Sequence, residues 1–135
     1  MPATMPQCSY SELMGSEVLA FDPATETITM RFVVPDCFVT GRGGVQGGLV
    51  AGFLDEVMGR AHVEATSGAE APLNLEIAMT LLKLIPPGPI MGKGRVIRRG
   101  KRAIFLEGEL FDEAGATLMA RATSTAIPTP VPPQI

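Results

Sequence analysis

Residues 44–55 read GVQGGLVAGFLD, with two adjacent glycines directly before the longest helical pattern of the chain. From there to about Ala65, apolar side chains recur at helical spacing, which predicts one long helix with a buried face. The apolar positions are Leu49, Val50, Phe53, Leu54, Val57, Met58 and Ala61. Gly48, Gly52 and Gly59 lie on the opposite face together with Asp55. Because glycine costs a helix about 1 kcal/mol relative to alanine, this face predicts a close neighbour, such as a second subunit or a ligand.

Strands are expected on both sides of this helix. Alternation of apolar and polar residues predicts strands at 16–21 and 25–34, and then at 73–84, 90–98, 102–111 and 117–127. This order predicts an α+β domain in which an antiparallel sheet packs on one helix. We expect a flexible N-terminus over 1–8, one domain over 9–127 that opens with a helical turn at 10–14, and a loose Pro-rich tail over 128–135.

Composition excludes several classes of function. A net charge of −3 argues against a nucleic-acid-binding protein, and no apolar run is long enough for a transmembrane helix. The N-terminal residues lack the features of a signal peptide, so we expect a cytoplasmic location. His62 is the single histidine, and Cys8 and Cys37 lie far apart. We therefore expect no metal site, and we expect His62 and both cysteines to take no part in the chemistry.

The glycines at the helix start point to a chemistry. The first N–H groups of a helix are unpaired and, with the helix dipole, they favour negative charge. Asp55 follows two turns later. Donors for an oxyanion together with a carboxylate suit the hydrolysis of an acyl group. The alternative is a Gly-rich loop before an ordinary core helix, with Asp55 in water beside an exposed Glu56–Arg60 pair.

This segment resembles the helix-start motif of the hotdog-fold acyl-CoA thioesterases, in particular the phenylacetic-acid-degradation (PaaI-like) type. The usual motif is Asn-x-x-Gly-x-x-His-Gly-Gly, six further residues and Asp, and Gly43, Gly47, Gly48 and Asp55 match it. The likeness spans about 13–127 and includes 75–83 as the family's long central strand, 86–88 as a turn, 95–101 as a strand-to-turn segment and 115–125 as the closing strand. The resemblance implies a hotdog fold, a curved antiparallel sheet wrapped around one long central helix.

The resemblance also implies a reaction, the hydrolysis of an acyl-CoA thioester to a free acid and coenzyme A. No cofactor is expected, because coenzyme A is part of the substrate. Asp55 would be the general base or the nucleophile, and the Gly47 N–H would hold the oxyanion. Gln46 stands where the family usually has His and would orient the thioester. Asn74, where the family often has Ser or Thr, would come from the neighbouring subunit and help to hold the attacking water.

The other expected substrate contacts lie in a loop, a strand and a basic turn. They are Thr40, which stands where the family usually has Asn, Gly48, Leu75, Glu76, Leu81, Arg98, Arg99, Gly100 and Lys101. Arginine and lysine in the turn suit the phosphates of coenzyme A, although such a turn can simply be a solubilising hairpin. Thr40 can equally be a loop residue without a partner, and Asn74 a residue that caps a turn.

A site shared between subunits implies a homodimer or a dimer-of-dimers tetramer, with a small-molecule acyl-CoA as the substrate and neither nucleic acid nor membrane as a partner. Two other functions stay open. The chain can be an acyl-CoA-binding sensor or carrier without catalysis, which the departures at Gln46 and Thr40 favour and the retained Asp55 disfavours. It can also be a hydratase or dehydratase, although such enzymes usually need a catalytic His.

Overall fold

A computed structural model describes residues 9–132, and it arranges them as one sheet and one long helix. The helices are α1 (Tyr10–Leu13) and α2 (Gly47–Ala65), with a short 3-10 turn at Asp36–Phe38 between them. The strands are β1 (Glu17–Asp22), β2 (Thr27–Val34), β3 (Glu70–Leu81), β4 (Gly88–Arg99), β5 (Ile104–Asp112) and β6 (Leu118–Pro130).

The six strands form an antiparallel sheet in the order β1-β2-β4-β5-β6-β3. The predicted α+β class, a curved antiparallel sheet around one central helix, is confirmed. The segment likened to the family's long central strand, 75–83, lies mostly in β3. Among residues 9–132 of one chain, β3 pairs only with β6 and lies at an edge of the sheet, opposite the edge formed by β1.

Helix α2 lies on the concave face of the sheet, and its apolar side faces the sheet. Of the apolar positions predicted to be buried, all but the half-buried Leu49 are buried. The closest approach is at Gly94 of β4, where an added Cβ would lie only 2.1 Å from the carbonyl oxygen of Val57. The helix backbone therefore rests directly on the sheet backbone at this point, and only glycine leaves room for it.

The C-terminal segment was expected to be loose from residue 128 onward, and this is wrong for 128–130. Strand β6 continues to Pro130, and Pro128 pairs with Pro72 of β3. Prolines are tolerated here because β5 ends its pairing at Ala126, so the side of β6 that would need an N–H donor has no neighbouring strand. The expected flexible N-terminus, residues 1–8, and the end of the tail, residues 133–135, lie outside the described residues.

Two irregularities change the directions of side chains at the sheet edges. The pairing of β1 with β2 shifts between Val18 and Ala20. The pairing of β3 with β6 shifts between Asn74 and Glu76, which leaves Leu75 as the additional residue. In β3, Ile77 and Met79 pack against the core, and beyond the bulge Asn74 is half-buried whereas Leu73 and Leu75 are exposed. The bulge therefore turns Asn74 toward the helix.

Candidate functional site

The start of α2 offers two backbone donors. Gln46 caps the helix, because its side-chain Oε1 accepts from the N–H of Leu49 at 3.0 Å and its carbonyl oxygen accepts from Leu49 and Val50. Gly47 and Gly48 occupy the first two helical positions, where the helix provides no acceptor for their N–H groups. Within residues 9–132 no backbone acceptor is found for these N–H groups, and the expected role of the Gly47 N–H as an oxyanion donor stays a prediction.

Thr40 has a partner within its own loop. Its Oγ1 donates to the carbonyl oxygen of Gly44 at 3.1 Å and accepts from the N–H of Arg42 at 3.3 Å. It therefore holds the glycine-rich loop that precedes α2. This contradicts the alternative in which Thr40 is a loop residue without a partner, and its expected contact with substrate stays a prediction.

Asp55 lies in a groove, as the hydrolase interpretation requires. The groove has a volume of about 610 Å³ and runs between α2, β3 and α1. Its walls include Gly52, Asp55 and Gly59 from the glycine face of α2, Ala71 to Asn74 from β3, and Tyr10 and Met14. The glycines lower the wall on the helix side, so the face that carries Asp55 is an open cleft in this chain.

The carboxylate of Asp55 is part of a hydrogen-bonded row. The Asn74 side chain donates from Nδ2 to Asp55 Oδ1 at 2.6 Å, and the Ser124 hydroxyl donates to Asn74 Oδ1 at 2.6 Å. Asp55 and Asn74 were expected to meet across a subunit interface. That expectation is wrong, because both come from the same chain and the bulge in β3 brings them together.

The helix start and Asp55 are separated in the single chain. Gly47 precedes Asp55 by eight positions, which at the helical rise of about 1.5 Å per residue is about 12 Å. One thioester carbonyl cannot contact the Gly47 N–H and the Asp55 carboxylate of the same helix. Each chain therefore carries the expected site as two separate halves, the N–H groups at the start of α2 and the groove that contains Asp55.

Glu56, Tyr10 and Arg60 also line the groove, although no pattern in the sequence pointed to them as site residues. Glu56 is buried, and burial raises the pKa of its carboxyl group. The Tyr10 hydroxyl donates to Glu56 Oε1 at 3.4 Å, whereas Arg60 forms its ion pair with Glu64. The alternative of an exposed Glu56–Arg60 pair is therefore wrong. Burial of Glu56 depends on α1 folding back over α2, which helical periodicity does not reveal.

The basic turn lies near the other end of α2. Arg99 is held by Glu26, with its Nη2 at 2.6 Å from Glu26 Oε1, and this ion pair lowers the pKa of Glu26. Both residues lie close enough to His62 to affect its pKa. Arg98, Gly100 and Lys101 are exposed. Arg99 is thus engaged within the chain, whereas Arg98 and Lys101 point into solvent.

The remaining predicted contacts lie near the exposed edge of the sheet. Leu75 and Leu81 are 64% and 49% exposed, and Glu76 is exposed between them. Gly48 is exposed at the helix start, and Leu81 is the nearest neighbour of Gly47, 3.7 Å from the position of an added Cβ.

Neither a metal site nor a membrane span is found in residues 9–132. No group of three or more histidine, cysteine or acidic side chains there could hold a metal ion. Within the same range, neither helix is sufficiently long and apolar to cross a bilayer.

Comparison with solved structures identifies the architecture. A phenylacetic-acid-degradation-related protein of Ralstonia eutropha JMP134 superposes with a TM-score of 0.81 at 25% identity, covering 91% of this chain and 92% of the other. The chain has the hotdog fold. This hotdog protein resembles thioesterases of the PaaI-like type, as the sequence motif indicated.

Two further hotdog structures are informative. Thioesterase HI1161 of Haemophilus influenzae has a TM-score of 0.78 at 16% identity, covering 92% of this chain and 85% of the other. A Streptococcus mutans UA159 protein, solved with acetyl-CoA bound, has a TM-score of 0.73 at 16% identity and covers 96% of both chains. No family model and no curated protein matches the sequence.

Proposed function

We propose that this hotdog protein is an acyl-CoA thioesterase that hydrolyses a thioester to a free acid and coenzyme A. The observation that carries the proposal is the position of Asp55. Its carboxylate is exposed in an open groove, and its Oδ1 accepts a hydrogen bond from Asn74. The likeness to a solved thioesterase, and to a second protein solved with acetyl-CoA bound, supports the class of substrate.

In the proposed reaction, Asp55 acts on the thioester carbonyl carbon either through water or directly. As a general base it takes a proton from the attacking water; as a nucleophile it forms an anhydride that water then cleaves. In both routes the carbonyl oxygen becomes an oxyanion, which a Gly47 N–H and the helix dipole stabilise. The carbon–sulfur bond breaks, and the departing thiolate of coenzyme A takes up the proton that the water has released.

The oxyanion donors come from a second copy of the chain in this proposal. Edge strand β3 carries exposed leucines at 73, 75 and 81, and within residues 9–132 no strand lies beside its outer backbone groups. Antiparallel pairing of two copies of β3 about a two-fold axis at Ala78 would set Leu81 of the partner subunit opposite Leu75, next to Asn74. Because Gly47 lies beside Leu81 in each chain, such a homodimer would bring one helix start to the other chain's Asp55.

Gln46 and the basic turn have supporting roles. The Gln46 Oε1 is used by the helix cap, so its side-chain NH₂ is the group that can orient the thioester. Arg98 and Lys101, which point into solvent, are the cations proposed for the phosphates of coenzyme A, since Arg99 is held by Glu26. Leu75, Glu76 and Leu81 lie where the two copies would meet, and we propose that they line the substrate channel there.

Replacing Asp55 tests the proposal. We expect Asp55→Asn to lower kcat by about 10²–10⁴-fold, because it removes the base while keeping an acceptor for Asn74. The measurement is release of free thiol from a panel of acyl-CoA substrates. Glu64→Gln removes a half-buried carboxylate from the same helix, outside the groove lining, and serves as the matched control.

Each outcome of this assay discriminates between functions. If Asp55→Asn hydrolyses acyl-CoA as fast as the parent, Asp55 is not the catalytic group. If the parent binds acyl-CoA tightly without releasing thiol, the protein is a binding protein. A change in conjugation of the acyl group without thiol release would identify a hydratase.

A further inference from the structure

The inner face of β6 carries one polar side chain where its neighbours are alanines. Ala120, Ala122, Ser124 and Ala126 alternate along the strand, and all four are buried. Buried hydroxyl groups need a hydrogen-bond partner. The partner of Ser124 is Asn74 Oδ1, at 2.6 Å across the pairing of β6 with β3.

The chemistry of the row allows only one arrangement of its hydrogens. An ionised carboxylate can only accept, so Asn74 must turn its NH₂ toward Asp55 Oδ1. Its carbonyl oxygen then faces Ser124, whose hydroxyl must donate. If the hydroxyl were absent, nothing in this row would hold the carbonyl oxygen, and the amide of Asn74 could rotate about its terminal bond.

We propose that Ser124 is a positioning residue for hydrolysis. It fixes the orientation of the Asn74 amide, and the amide in turn holds Asp55 and the attacking water in place. The inference rests on the proposed function and adds a residue from a strand outside the groove lining. The β3 bulge aims Asn74 at α2, and the two ends of its amide are held by different elements, Nδ2 by Asp55 and Oδ1 by Ser124.

Ser124→Ala is a conservative test, since it extends the existing row of alanines. We expect kcat to fall about tenfold, the kinetic equivalent of one hydrogen bond, while KM stays the same. In an Asn74→Ala background the same substitution should cause no further loss, because Ser124 acts only through Asn74. Thr123→Ala removes an exposed hydroxyl from the adjacent position of β6 and should leave kcat unchanged.

Nuclear magnetic resonance of the Asn74 side chain gives a readout independent of turnover. In the parent protein we expect a distinct pair of NH₂ signals that exchanges slowly with solvent. Ser124→Ala should shift this pair and speed its exchange, whereas Thr123→Ala should not. Unchanged signals together with an unchanged kcat would overturn the proposal, as would an additive loss in the double variant. If the parent released no thiol from any acyl-CoA, the hydrolase proposal would fail, but the NMR comparison would still decide whether Ser124 holds Asn74.

Discussion

His62 shows how a single buried side chain sets a response to pH. It is 1% exposed near the end of α2, and neither ring nitrogen has a hydrogen-bond partner within residues 9–132. Glu70 Oε1 lies 3.5 Å from its Nε2, and Arg99 and Glu26 are the other charged groups that influence it. Burial lowers the pKa of His62 because a charged imidazolium would lose its hydration, and the attraction of Glu70 only partly offsets this.

Stability should therefore fall as the pH falls below about 6.5, the ordinary pKa of histidine. In that range the unfolded chain binds a proton that folded His62 does not, so the free energy of unfolding rises with pH. The slope from one such group is at most about 1.4 kcal/mol per pH unit. Urea denaturation between pH 5 and 8 measures it.

His62→Gln supplies the control, because it has no titrating ring. The difference in unfolding free energy between the parent and this variant should depend on pH below 6.5 and be constant above it. Taking this difference also cancels the contribution of Glu56, which has the opposite sign. The raised pKa of Glu56 lowers the free energy of unfolding as the pH rises above the ordinary pKa of glutamate. A difference independent of pH throughout would show that His62 is not buried in its neutral form.

At the level of single residues, the sequence predicted Asp55 and Asn74 but not their arrangement. The spacing from the glycine pair to Asp55 is local information, and a helix preserves it. The bond from Asn74 to Asp55 instead depends on a bulge in β3, and the bond from Ser124 depends on the register between β3 and β6. Register is a long-range property, so Ser124 could not be selected from its own neighbourhood in the sequence.

Among the elements, the contact between α2 and β4 is the least tolerant of change. An alanine at Gly94 would place its Cβ 2.1 Å from the Val57 carbonyl oxygen. Because the atom that it meets belongs to the helix backbone, no side chain can rotate away to make room. We expect Gly94→Ala to lower the free energy of unfolding by at least about 3 kcal/mol or to prevent folding. Chemical denaturation and the soluble yield measure this.

Gly41→Ala is the matched glycine substitution. Gly41 has no heavy atom within 4 Å of an added Cβ, so we expect a change within about 0.5 kcal/mol. Equal stability of Gly94→Ala and the parent would show that the helix does not rest on the sheet at this point.

The elements themselves could be predicted more fully than their ends. Helix α2 was expected to reach about Ala65 and ends there, because its apolar spacing spans the whole helix. Strand β3 was expected at 73–84 but spans Glu70–Leu81, and β6 was expected to stop at 127 but reaches Pro130. Proline normally ends a strand, and only the shorter neighbour β5 makes the extension possible.

For the whole molecule, the exposed leucines of β3 predict how two copies associate. A lysine at position 75 would put a charge at the proposed interface, which is a common means of blocking edge-to-edge pairing. We expect Leu75→Lys to be monomeric and to lose at least about 10²-fold in hydrolysis, because each Asp55 would lack its oxyanion donors. Sedimentation analysis and the thiol assay measure mass and activity together.

Leu19→Lys places the same charge on the opposite edge strand. Leu19 is 47% exposed on β1, and its substitution should leave both mass and activity unchanged. A fully active Leu75→Lys monomer would contradict the shared site, since one chain alone would then hold every group needed for hydrolysis.

The prolines of β6 and the shifted register of β1 restrict how this protein can grow into larger assemblies. The facing pair Pro72 and Pro128 has no N–H on either residue, so a strand approaching that corner finds no donor. The irregular pairing at Leu19 makes β1 a poor template for a further strand. In the proposed assembly, copies therefore pair through β3 beyond Pro72, and a molecule that adds copies through one edge forms a closed pair and not an open fibre.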